Sequence, residues 1–120
     1  MKYLVTLMAF FVSSLAAAAD PQLPIRSGQY TFQHRFAEQP EMRLEPIVAK
    51  ISGRHIVLIN KAQFGVFPKG IIEAGILMWH AKSKQWIIGD SNSDRFADDV
   101  GGCSTGPAVV DLKKKIYWTC

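Results

Sequence analysis

Apolar and polar positions alternate with a period of two along much of the chain, the pattern of half-buried β-strands. The densest apolar stretch, Ile71–Gly89, reads IIEAGILMWHAKSKQWIIG: two apolar runs around the polar tetrapeptide Ala81–Lys84. A hairpin turning at Lys82–Ser83, or across Ala81–Lys84, sets Trp79 opposite Trp86, Leu77 opposite Ile88 and Met78 opposite Ile87. Both tryptophans then share a face with Leu77 and Ile88, while Ile76, Met78, His80, Gln85 and Ile87 take the other. Apolar residues on both faces predict that this hairpin is covered on both sides, in a barrel or a sandwich.

The same pattern places other strands around it. Gln29–Phe36 alternates Tyr30, Phe32 and Phe36 inward with Gln29, Thr31, Gln33 and Arg35 outward. Ile47–Asn60 is a second hairpin about Gly53–Arg54, where glycine supplies the positive φ of a type II′ turn. That turn pairs Ile51 with Ile56, Ala49 with Leu58, Lys50 with Val57 and Val48 with Ile59. Ala108–Leu112 and Ile116–Cys120 form a last hairpin around Lys113–Lys115, with two registers open: a three-residue loop sets Val110 against Trp118, a two-residue loop sets it against Tyr117. The pattern amounts to an all-β domain, a small antiparallel barrel or sandwich of about seven strands. One long connection, Asp90–Pro107, has room for a short helix capped by Ser91 or Ser93, with Asp94 in its first turn and Gly101 or Gly102 as its stop.

The first residues stand apart from this pattern. Met1–Tyr3 is a short positive start, Leu4–Leu15 is apolar, and Ala17–Ala19 has the small-residue spacing of a cleavage site. The run is too short for a spanning helix, which needs roughly 20 residues. The reading is a secretory signal peptide over 1–19, a single domain over 20–120, and an exported protein, periplasmic or extracellular. No later stretch is long and apolar enough to be read as a membrane helix.

Charge and cysteines narrow the chemistry. The formal net charge is +4, one unit of it from Lys2 in the leader. The one dense basic run, Lys113–Lys115, falls where a turn is wanted and offers few phosphate contacts, so no nucleic-acid partner is expected. Cys103 and Cys120 are the only cysteines. In an exported chain they are expected to form a disulfide that ties down the last residue.

Catalytic and cofactor motifs are weak. Asp90-x-Asn92-x-Asp94 has the one-three-five oxygen spacing that opens a calcium loop, but Arg95 stands where glycine is required and Gly101 where the bidentate glutamate is required. Turn and capping chemistry explain the same residues without an ion. His34, His55 and His80 lie on separate strands without short ligand spacing; Met78 near His80 is the one hint of copper. Gly102–Pro107 lacks the G-x-S-x-G nucleophile pattern, and a bridged cysteine is no nucleophile. No cofactor and no catalytic residue is assigned. Trp79, Trp86 and Trp118 at strand positions read as core.

What remains is a binding module. Phe64 and Phe67, in a turn-rich stretch, and Phe96, in the long loop, are the aromatic residues hardest to bury by pattern. With Asp94, Asp98 and Asp99 they form the expected contact surface for a protein or an envelope component. The size, leader and all-β build are similar to those of exported inhibitors and immunity proteins that block hydrolases, such as small periplasmic lysozyme inhibitors; the likeness is one of architecture, without a shared motif. A carrier for a small apolar ligand inside a closed barrel is the other reading.

Overall fold

The computed structural model describes residues 20–62 and 67–120. The expected leader and Phe64 lie outside the described residues. Seven strands, β1 (Gly28–Phe36), β2 (Ile47–Ser52), β3 (His55–Asn60), β4 (Gly70–His80), β5 (Gln85–Gly89), β6 (Ala108–Asp111) and β7 (Ile116–Thr119), follow one another round a closed barrel. Among the described residues a single 3-10 helix, Asn92–Phe96, lies between β5 and β6. Of the two architectures the pattern allowed, the barrel forms.

The expectation of a wholly antiparallel sheet needs one correction. Six neighbouring pairs are antiparallel, but β1 and β7 close the ring in parallel, with Gln33 opposite Ile116 and Phe36 opposite Thr119. The reason is parity: in a meander each strand reverses the last, so the first and seventh point the same way. Closure leaves no row of unpaired backbone groups at a sheet edge.

The hairpin registers follow the alternation. Trp79 pairs with Trp86 and Leu77 with Ile88, and Ile51 pairs with Ile56 and Ala49 with Leu58. Gly53 turns β2 into β3 with φ of 60°. In the last hairpin Val110 opposes Tyr117, the pairing of the two-residue alternative, although the turn spans Leu112–Lys115. Asp111 sets that turn: its Oδ1 accepts the N–H groups of Lys113 (3.1 Å) and Lys114 (2.8 Å).

The interior is filled by Phe32, Ile47, Leu58, Leu77, Ile88 and Val110 with their buried neighbours, and Leu23 and Ile25 of the lead-in pack against them. A second cluster, Met78, Ile87 and Val109, lies on the outer face and is completed by Ile76, Trp118 and Val100. Val100 belongs to the long β5–β6 connection, so that connection covers the outside of the β4–β5 hairpin. Both faces of the hairpin are therefore buried, as its composition requires. β4 and β5 come close at Gly75 and Gly89, where a Cβ on Gly75 would sit 2.7 Å from the Gly89 carbonyl oxygen. Among the described residues no helix is long and apolar enough to cross a membrane.

Candidate functional site: the Asp90–Pro107 loop

Because the strands form a meander, the connections after β1, β3 and β5 emerge at one end of the barrel and the tight hairpin turns at the other. The Asp90–Pro107 connection, expected to recognise a partner, leaves from the first of these ends but folds back along the β4–β5 hairpin, so that Ala97 meets His80 and Asp98 meets Lys82 of the β4–β5 turn.

In the long connection, the 3-10 helix starts where Asp94 folds back on its own entry. Asp94 Oδ2 accepts the N–H of Asp90 (2.7 Å) and of Ser91 (3.1 Å), leaving the helix entry without two orphan donors. These two N–H groups also hold the Asp94 carboxyl below the usual carboxylate range. Arg95 Nε donates to Asn92 Oδ1 at 2.8 Å, and its guanidinium forms an ion pair with Asp20. Asp20 also pairs with Arg54 at 2.7 Å. Burial works to raise the Asp20 carboxyl, but the Arg95 hydrogen bond and the two positive charges outweigh it and leave it lowered. One buried carboxylate therefore links the lead-in, the β2–β3 turn and the 3-10 helix.

His80 holds the next part of the loop. Its ring is buried, with Nε2 2.6 Å from the Ala97 carbonyl oxygen and Nδ1 2.6 Å from Ser83 Oγ. A carbonyl only accepts, so Nε2 carries the proton given to Ala97. Further on, Gly101 N donates to Pro107 O at 2.8 Å, and the Cys103–Cys120 disulfide, with Cα atoms 4.6 Å apart, joins the loop to the end of β7. Gly101 has φ of 68° and packs so closely on Val109 that a Cβ would lie 2.7 Å from Val109 Cγ2. The loop is fastened along its whole length.

On this scaffold Phe96 stands out, 76% exposed at the end of the 3-10 helix. Asp98 and Asp99 follow it and are exposed; Asp98 reaches Lys82 at 3.6 Å, with both side chains largely in solvent, an ion pair worth little. The loop contains Asp90, Asp94, Asp98 and Asp99 against Arg95 alone, in a chain whose formal charge is +4. Between the loop and the barrel end lies an open groove of about 580 Å³ that includes Glu73, Asp90 and Asp94 in its walls. Negative charge is concentrated on this side of a basic protein.

Phe67, also expected at this surface, is placed differently. It packs against the interior cluster and stacks on His34, ring centroids 4.8 Å apart. Asn60 secures it, its Nδ2 donating to Phe67 O at 2.7 Å. For the calcium reading, the Asp94 oxygen is engaged by backbone N–H groups and Asn92 Oδ1 by Arg95. His34 and His80 are buried and hydrogen-bonded, His34 Nε2 to Thr119 Oγ1 at 2.7 Å, and His55 is exposed at the β2–β3 turn. Among the described residues, three ligand-type side chains converge at Glu38, Cys103 and Cys120, where the sulfurs are bonded to each other.

Two features escaped sequence reasoning. The Asp20–Arg95 pair joins residues 75 positions apart. Glu73 faces into the barrel opposite Leu58 and accepts a hydrogen bond from the Tyr117 hydroxyl across 44 positions. Burial raises the Glu73 carboxyl and the nearby Asp90 adds to this, while the Tyr117 bond opposes it. Burial and the Glu73 partner raise the Tyr117 phenol strongly. No period in the sequence signals such partners; an isolated glutamate in an apolar strand, IIEAGI, is the nearest hint. No protein-family model matches this chain, and neither a curated protein nor a solved structure was found to be similar to it.

Proposed function

We propose that this protein is an exported, non-catalytic binding module that takes a basic protein of the cell envelope on its Asp90–Pro107 loop. The observation that carries the reading is Phe96, a large apolar side chain 76% exposed on a fastened loop and followed by two exposed aspartates. An aromatic anchor held in place before binding loses little conformational freedom when a partner covers it. The aspartates around it favour encounter with positive surfaces and disfavour negative ones. The signal-peptide pattern of residues 1–19 supports a partner outside the cytoplasm.

A narrower form of the reading is inhibition of, or immunity to, a cell-wall hydrolase. It is favoured by the same acidic surface, since an enzyme acting on an anionic polymer gains from a basic substrate groove. The carrier reading is less supported: side chains such as Phe32, Leu58 and Leu77 fill the barrel, and an internal ligand would have to displace them.

The test is a pull-down from an envelope extract with the wild-type protein and with a Phe96→Ala/Asp98→Asn/Asp99→Asn variant whose near-ultraviolet circular dichroism matches it. The reading expects a basic protein retained by the first and lost by the second. The same protein retained equally by both, or no protein retained by either, would sink it.

A further inference from the structure

The tight-turn end of the barrel carries a second feature, which does not rest on the loop reading. β5 and β6 pair only through Trp86–Ile88 and Ala108–Val110. Beyond Trp86 and Val110 the tips of the two hairpins, Ala81–Lys84 and Leu112–Lys115, are no longer held together by sheet hydrogen bonds. A pocket of about 340 Å³ opens there, within the size range of small-molecule sites.

Its lining is unusual for a gap between turns. Trp79 and Trp86 meet edge to face, centroids 5.3 Å apart, and Trp118 contributes from β7. Pro21 and Pro24 of the lead-in form another wall. Each hairpin tip adds a lysine at the rim, Lys84 and Lys113, both exposed. Asp111 is also present, but its Oδ1 accepts the Lys113 and Lys114 N–H groups. Two exposed ammonium groups over an aromatic floor complement an anion with a flat apolar body: the rings take the body and the lysines take the charge.

We infer that this pocket binds a small aromatic anion, an aromatic carboxylate, sulfonate or phosphate ester, one per chain. Two fluorescent dyes that share a ring system test the chemistry directly: 1-anilinonaphthalene-8-sulfonate, which is anionic, and N-phenyl-1-naphthylamine, which is neutral. The inference expects saturable binding of the sulfonate dye to the purified protein at one per chain, with quenching of tryptophan emission. Lys84→Gln/Lys113→Gln should weaken the sulfonate dye by about tenfold and leave the neutral dye within about twofold. Gln85→Trp, which adds bulk at an exposed lining position, should weaken both dyes. The inference is overturned by the absence of saturable binding, by equal effects of the lysine changes on the two dyes, or by binding indifferent to Gln85→Trp.

Discussion

His34 shows how one residue can join two parts of the barrel. It lies on β1 opposite Tyr117 of the closing strand, its ring 97% removed from solvent, stacked on Phe67 and edge-on to Phe36. Burial lowers its pKa below 6.5. The folded protein therefore holds His34 neutral where the unfolded chain protonates it, so its contribution to stability is full above pH 6.5 and is lost as pH falls through the folded value. Glu73 has the opposite sign: its carboxyl is raised above 4.5, so its contribution is full below pH 4.5 and is lost as pH rises through the folded value. Between pH 4.5 and 6.5 the two oppose each other. Replacing His34 by Gln removes one side, and thermal melts should then show a smaller loss of Tm from pH 7 to pH 5 than the wild type shows. An unchanged slope would mean that His34 does not titrate differently in the two states. The alternation sets His34 at an inward position between Phe32 and Phe36, but its partners could not be read, because Phe67 and Thr119 lie far from it along the chain.

At the scale of elements, legibility tracks sequence separation. Hairpins β2–β3 and β4–β5 have the expected registers because a tight turn fixes the pairing and a one-residue slip would move every side chain to the wrong face. The last hairpin was ambiguous because three lysines do not mark one turn position; Asp111, whose side chain caps the turn, was the signal to weigh. The long loop was legible as a loop and its acids as an unusual cluster. What could not be read is that Asp94 serves the helix entry, that Phe67 belongs to the barrel, and that the tryptophans border a pocket where β5 and β6 stop pairing. The disulfide was expected from the two cysteines, and its role becomes clear from what it fastens: the loop that carries Val100 over Met78, Ile87 and Val109. Changing both cysteines to serine should cost about 3 kcal/mol by the loop-entropy relation. It should also raise binding of an apolar dye as the outer cluster is uncovered, while far-ultraviolet circular dichroism stays that of a β protein. A variant as stable as wild type, with no added dye binding, would show that the loop is held without the bridge.

For the whole molecule, the closing β1–β7 pair is the least local event, joining the first strand to the last. Sandwich and barrel both bury two-sided strands, so the alternation could not choose between them; the odd strand count and the single parallel seam are properties of the ring. The surface carries two distinct features: an acidic loop with an exposed phenylalanine that runs from one end of the barrel back along β4 and β5 to the β4–β5 turn, and an aromatic pocket between the hairpin tips with two lysines at its rim.

The central claim is that the Asp90–Pro107 loop is set in place before any partner arrives. Amide hydrogen exchange followed by NMR on the unbound protein tests it most directly. The account predicts that the N–H groups of Asp90, Ser91, Ala97 and Gly101, each donating to an acceptor within the loop, exchange at least about tenfold more slowly than free peptide. Exchange of these amides at the free-peptide rate would contradict it, and with it the proposal that Phe96 is a pre-positioned anchor.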